Sequence, residues 1–224
     1  MAPAIYDQRY AEMIDEDYGR CLIANHGPAL LRAGAAHMSA VASANGDRPR
    51  LLDIGCNAGA FLRQVEQTLG VAALGLDTNA IALSHAVARG SPVLQAQAEK
   101  LPFADAALDL IFSQHTFEHV ADTGVVLREI RRVLKVGGKA FIIVPINFLG
   151  LEVIGVAYDS LPLEQRTWLR AWRYARQLHC SPLGGPLGGS RQHVQRILAE
   201  HDVKLRVTGG WRWDILANFL VLEH

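Results

Sequence analysis

The stretch from Leu51 to Leu62, LLDIGCNAGAFL, leaves a chain few choices. Leu51, Leu52 and Ile54 form the short apolar run of a parallel strand buried on both faces, and Phe61, Leu62 and Val65 restart apolar residues at helical spacing. Gly55, Asn57 and Gly59 fall between them. Small residues at a strand-to-helix turn let a ligand approach the backbone, and the open N–H groups of the helix start then face it. The pattern implies an α/β fold with a place for something small at the joint.

The same alternation continues downstream. VAALGLD predicts a second strand ending on Asp77, NAIALSHAVARG a helix stopped by Gly90, PVLQAQ a third strand and LDLIFSQ a fourth. DTGVVLREIRRVL then predicts a helix ending near Lys135, VGG a turn, and KAFIIVPI a fifth strand. Strands and helices alternating at this spacing imply right-handed βαβ units and a parallel sheet covered on both faces. Upstream, Ala29 to Ala44 is rich in Ala and Leu and reads as a helix that ends in NGDRPR. After Ile146 the rhythm breaks: residues 147–189 hold the helix-like LEQRTWLRAWRYARQLH and the glycine-rich SPLGGPLGG. SRQHVQRILAEHD predicts a further helix with Ser190 as N-cap, and VKLRVTGGW with DILANFLVL predict two closing strands that end the sheet antiparallel.

Composition removes several classes of function. The 224 residues carry 22 Lys plus Arg against 22 Asp plus Glu, so no basic footprint for nucleic acid exists. Cys21, Cys56 and Cys180 stand far apart and outside metal-binding spacing, which fits free thiols in a reducing, cytoplasmic setting and no bound metal. The N-terminal stretch lacks the charged and apolar regions of a signal peptide, and the most apolar stretch, Ala140 to Ala157, is broken by Pro145, Asn147, Gly150, Glu152 and Gly155, so no integral membrane span is expected.

The loop does not carry the G-x-G-x-x-G of dinucleotide dehydrogenases, because Asn57 and Ala60 occupy the later positions. It resembles instead the first motif of class I S-adenosylmethionine-dependent methyltransferases of the small-molecule, type 11-like kind: Asp53, Gly55 and Gly59 are in place, and Asn57 stands for the central glycine. GLDTNAIAL resembles the second motif, with Asp77 at the end of the second strand. QAQAEKLPFADAALDLIFSQHTFEHV resembles the family's following segment through Ala98, Glu99, Leu101, Pro102, Phe103, Asp105, Asp109, Glu118 and His119. LREIRRVLKVGGKAFIIVP resembles its helix, glycine turn and fifth strand, so the likeness covers roughly Arg50 to Pro145 in order.

That resemblance implies a doubly wound, mostly parallel, seven-stranded Rossmann-like sheet with an antiparallel last strand and a helical insert after the fifth strand. The length points to one domain, read over 1–221 as an N-terminal helical cap at 1–48, a cofactor-binding core at 50–146, an insert or lid at 147–189 and closing elements at 190–221, and the terminal LEH reads as a tag remnant at Leu222 to His224. The cofactor implied is S-adenosyl-L-methionine, held by Asp53, Gly55, Cys56, Asn57, Gly59, Asp77, Thr78, Ala98, Glu99 and Gln114, with Asp77 on the ribose hydroxyls. Gln97 stands where the family often places the aspartate that reads adenine, which moves that role toward Ala98 and Glu99.

Methyl transfer is an in-line displacement in which alignment and water exclusion do most of the catalysis. If the small-molecule acceptor is a hydroxyl, His115 and His119 near the end of the fourth strand are the candidate bases, since imidazole titrates near neutral pH. Tyr6, Tyr10 and Tyr18 fit a segment closing over the site, or ordinary packing. Trp168, Trp172 and His179 fall on one helical face and Arg166, Arg170, Arg173 and Arg176 on another, which suits a lid, a membrane-surface contact or a solvated face over a core stripe. The insert also suits a homodimer contact. A non-catalytic binding protein on this fold and a nicotinamide oxidoreductase are the rival readings.

Overall fold

A computed structural model describes residues 19–45, 49–71, 73–145, 167, 169, 190–212 and 217–224. The tyrosines at 6, 10 and 18, and the tryptophans, arginines and histidine singled out between 166 and 179, lie outside the described residues.

The expected alternation is present. The elements run α1 (Gly19–Asn45), β1 (Leu51–Ile54), α2 (Ala60–Leu69), β2 (Ala73–Asp77), α3 (Ala80–Ala88), β3 (Val93–Gln95), β4 (Leu108–Gln114), α4 (Thr123–Val133), β5 (Leu134–Pro145), α5 (Arg191–Glu200), β6 (Arg206–Arg212) and β7 (Ala217–Glu223). They build one seven-stranded sheet in the order β3-β2-β1-β4-β5-β7-β6. β1 pairs parallel with both β2 and β4, and β7 alone runs against its neighbours β5 and β6. The order reverses between β1 and β4, so the crevice outside their carboxyl ends is where an open α/β sheet accepts a ligand.

Alternation along the strands divides the core in two. Leu52, Ile54, Ile142, Val144 and Leu220 face one layer, packed with Val126, Leu127 and Ile130 of α4 and Val194, Ile197 and Leu198 of α5. Leu51, Leu110, Phe112, Phe141 and Phe219 face the other, packed with Leu30 of α1, Phe61, Leu62 and Val65 of α2 and Leu83 of α3. The N-terminal helix is therefore part of the core and not only a cap. It lies so close to the sheet that a Cβ on Gly34 would stand 2.7 Å from the Phe112 ring.

Local chemistry sets the helix ends. Asn79 accepts from the N–H groups of Ile81 and Ala82, Asp122 from that of Val125, and Ser190 from that of His193, as expected for Ser190. Gly90 at φ +77 follows α3. Helix α1 starts ten residues earlier than Ala29 and runs through Pro28, which withholds only the one hydrogen bond its missing N–H would have made.

One expectation needs correction. The VGG turn is drawn into β5, which starts directly after α4; Gly137 takes φ +81, its N–H donates to the His224 carbonyl at 3.0 Å, and the His224 N–H donates to the Gly138 carbonyl. Leu222 and Glu223 are the last two residues of β7, and His224 follows them. Leu222 is fully buried, Glu223 pairs with Lys139 and Arg206, and the His224 ring lies 2.9 Å from the Leu134 carbonyl.

Candidate ligand site at the carboxyl edge

Gly55 (φ +80), Asn57 (φ +47) and Gly59 (φ +74) all take the left-handed backbone conformation, so every second residue of the joint reverses direction. Only glycine, and asparagine to a lesser degree, adopts it without steric cost. The Gly55 and Cys56 N–H groups donate to the Leu76 carbonyl at 2.7 and 3.1 Å, which fastens the turn to the end of β2. A Cβ on Gly55 would stand 1.9 Å from Thr116 Oγ1, and one on Gly59 would stand 2.9 Å from Ser91 Oγ. No side chain caps the start of α2, which leaves its first N–H groups facing the joint.

Asp77 closes the arrangement from the neighbouring strand. Its Oδ2 accepts from the Asn57 N–H and its Oδ1 from the Asn79 N–H, each at 2.9 Å, and each oxygen keeps a lone pair. Burial pushes its carboxyl up from the ordinary range, against the pull of the Asn79, Asn57 and Thr78 N–H groups. Asp53, 3% exposed, is pushed up to about 7 by burial and then by the charge of Asp77. The Cys56 thiol is pushed up far beyond its normal value, first by burial and then by Asp53 and Asp77, so it has no thiolate character. Its Sγ fits under the loop because Gly75 has no side chain: a Cβ there would come within 2.6 Å of it.

The site has acceptors in excess of donors. Asn57 Oδ1 and Gln114 Oε1 are buried without a hydrogen-bond partner among the described residues. With Asp53 and Asp77 they line the crevice with oxygen, which suits a ligand that brings donors and positive charge. Glu99 is partly committed elsewhere, its Oε1 accepting from the Ala121 N–H at 3.0 Å, and Ala98 packs into the core. Thr78 is exposed, and its carbonyl accepts from the Gln95 amide. The segment after Glu99 is held by α4: Glu129 accepts from the Leu101 N–H, and Arg132 donates to the Leu101 and Phe103 carbonyls.

Beyond β4 the chain turns sharply. His115 takes φ +51, its N–H bonded to the Ile143 carbonyl at 3.0 Å. Its Nδ1 lies 3.4 Å from Glu118 Oε1, and its Nε2 lies 3.1 Å from Nδ1 of His26, whose ring stacks on it with centroids 4.9 Å apart. His119 Nε2 is 3.9 Å from the same Glu118 oxygen. Glu118 and His26 are buried. The two histidines expected as candidate bases thus share one carboxylate, and α1 supplies a third imidazole.

His26 is the functional candidate missed by sequence reasoning. It stands 89 residues from His115, and no local spacing connects them. Asp109, in contrast, matched the motif for a structural reason: it is buried between Lys135 Nζ and the Arg50 N–H.

Residues 52–142 match the family model described as a methyltransferase domain. The biotin biosynthesis bifunctional protein of Cellvibrio japonicus is 36% identical over 116 residues, covering 50% of this chain and 23% of that protein. Malonyl-[acyl-carrier protein] O-methyltransferase of Legionella pneumophila is 32% identical over 95 residues, covering 40% of this chain and 34% of that one. The matched stretch therefore spans a quarter to a third of these relatives' own lengths. A crystal structure from Methanococcus maripaludis, of a protein proposed to be an S-adenosyl-L-methionine-dependent methyltransferase, aligns over 97% of this chain and 93% of that chain with a TM-score of 0.61 at 18% identity, a likeness of fold.

Proposed function

We propose that the chain is an S-adenosylmethionine-dependent methyltransferase, a reading supported by the match of residues 52–142 to the methyltransferase domain model, and that it moves a methyl group from this cofactor to an O, N or C of a small-molecule acceptor. The observation that carries the reading is the joint itself, three left-handed residues at 55, 57 and 59 clamped by Asp77 from the next strand. Isothermal titration with S-adenosylmethionine, its demethylated product and NADH tests it. The first two are expected to bind and NADH is not; the reverse order would overturn the reading.

The residues present fit the cofactor. The bare turn at Gly55 and Gly59 accommodates its chain, the remaining lone pairs of Asp77 suit the ribose hydroxyls, and Asp53, Asn57 Oδ1 and Gln114 Oε1 suit its ammonium group. The backbone around Ala98 and Glu99 suits adenine, since Glu99 is bonded to Ala121. When bound, the cofactor supplies an electrophilic methyl on a cationic sulfur. The 147–189 segment, inserted between β5 and α5, fits an acceptor-side cap. Among the described residues no helix is long and apolar enough to cross a membrane, and the free, buried thiol of Cys56 fits a reducing, cytoplasmic setting.

A pH dependence follows from Asp53. A carboxyl raised from 3.8 to about 7 on folding contributes stability that is fully present below pH 4 and lost as pH rises through 7, on the order of 4 kcal/mol over that window. A cation beside it favours the ionised form and reverses the preference. Cofactor binding near pH 7 is expected to release a proton, visible as a binding heat that varies with buffer ionisation enthalpy, and affinity is expected to rise from pH 6 to 8. Asp53→Asn is expected to abolish both effects. Affinity independent of pH in the parent protein would remove Asp53 from the cofactor's surroundings.

His115 is the candidate base for a hydroxyl acceptor. Glu118 on one side and His26 on the other orient its ring and share the proton it receives. His115→Asn is expected to slow transfer to a hydroxyl by about 10²- to 10⁴-fold, with cofactor affinity unchanged. A full rate in that variant would leave alignment as the whole of the catalysis.

A further inference from the structure

Helix α1 meets the rest of the molecule along one stripe, with His26, Gly27, Leu30, Gly34 and His37 buried at the spacing of a single helix face. Leu30 is fully buried and Gly34 lies against the Phe112 ring, so the middle of the stripe is apolar. Its two ends are imidazoles, 11 residues or about three turns apart. At the carboxyl edge of the sheet His26 Nδ1 lies 3.1 Å from His115 Nε2, and Glu118 Oε1 lies 3.4 Å from the other His115 nitrogen. Beside this contact a Cβ on Gly27 would collide with Gln64 of α2, so α1 walls the crevice there. At the opposite edge the His37 Nε2–H donates to the Asp109 carbonyl at 3.2 Å, and the ring meets Phe141 edge-on with centroids 6.4 Å apart.

Both ends admit fewer protons when α1 is docked than the same rings hold when it is not. Only one hydrogen fits between His26 Nδ1 and His115 Nε2, so the docked pair holds at most one imidazolium, and the separated rings hold two. The titratable groups facing His26 are His115 and, behind it, Glu118 and His119, all from the turn after β4. At His37, burial and then Lys139 of β5 oppose a proton, whereas the Asp109 carbonyl, the Asp109 carboxylate and Glu223 of β7 favour it; burial prevails and holds the ring below the ordinary histidine value. We propose that α1 is an acid-released cover of the crevice, clasped to the sheet by His26 at one end and His37 at the other and loosened when these rings take up protons. The clasp is at full strength above the ordinary histidine value and is lost as pH falls below about 6.5. Resting on the reading above, release carries His26 off His115 and stops transfer to a hydroxyl in acid.

Hydrogen exchange of the full chain without cofactor, followed from pH 7 to 5 and corrected for the intrinsic rate, tests the cover. Below pH 6 the α1 amides are expected to lose protection by about ten- to hundredfold per pH unit, the range for uptake of one to two protons, while those of β1 and β4 keep theirs. His26→Asn and His37→Gln each keep a side-chain N–H near the place of the ring nitrogen but do not titrate. Each is expected to reduce the pH dependence, and the double variant to abolish it. Protection of α1 that stays flat from pH 7 to 5 in the parent protein, that falls together with β4, or that falls as steeply in the single variants would overturn the cover while leaving the cofactor reading standing. Acid release of α1 in a protein that fails to bind S-adenosylmethionine would uphold the cover and overturn the cofactor reading.

Discussion

Gly55→Ala is expected to weaken S-adenosylmethionine binding by about 30- to 10²-fold, measured by calorimetric titration with circular dichroism to verify the fold. The backbone there has φ +80, which costs a non-glycine residue about 1–2 kcal/mol. The added methyl would lie 1.9 Å from Thr116 Oγ1 and 2.8 Å from its Cβ, so Thr116 has to move. Moving it gives up the hydroxyl's single donated hydrogen bond, which lies within reach of both the Ile54 and the Gln114 carbonyl, about 1 kcal/mol. The sum, roughly 2–3 kcal/mol, gives the stated factor at about 1.4 kcal/mol per tenfold. Thr116→Gly added to Gly55→Ala is expected to recover the steric part and leave the conformational part. Native affinity in a folded Gly55→Ala protein would remove the joint from the site.

The second large effect belongs to Asp77→Asn. The amide keeps the shape of the carboxylate but turns an NH₂ group toward one of two backbone donors, Asn57 N–H or Asn79 N–H. One clamp bond is lost, and the bond to a ribose hydroxyl loses its charge. Charge-assisted bonds are worth about 1.5–3 kcal/mol each, so a loss of 10²- to 10⁴-fold in cofactor affinity is expected. Because the charge of Asp77 helps hold Asp53 up, the variant is also expected to lower the Asp53 pKa, read from its side-chain carboxyl carbon by NMR. That second measurement separates a lost ligand contact from a disordered loop. An Asp53 pKa that stays near 7 together with native affinity would deny Asp77 both roles.

Asp53, Gly55, Asn57, Gly59 and Asp77 were legible in the sequence because the elements around them are short and local. A buried strand, a reversal and a helix start are each written in a few neighbouring residues, and the period change from strand to helix marks where the backbone opens. The parallel sheet and its antiparallel end followed from the same rhythm, with the connections limited to right-handed, unknotted forms, whereas the order of the strands came from the structure. Helix and strand boundaries were less legible. Nothing local announces that Leu134 pairs with Leu108, or that His224 bonds to the glycines at 137 and 138, because those partners are tens of residues away.

What the chain alone determined is therefore the parallel core, the strand-to-helix joint at its carboxyl edge and the residues of that joint. Tertiary structure decided which side chains from distant segments share the crevice there. His26 reaches His115 because α1 packs across the sheet. It also decided charge state: an aspartate in a sequence is an ordinary acid, and only burial beside a second carboxylate moves Asp53 to about 7. Periodicity records which face of an element is apolar; proximity and desolvation exist only once the faces have been brought together.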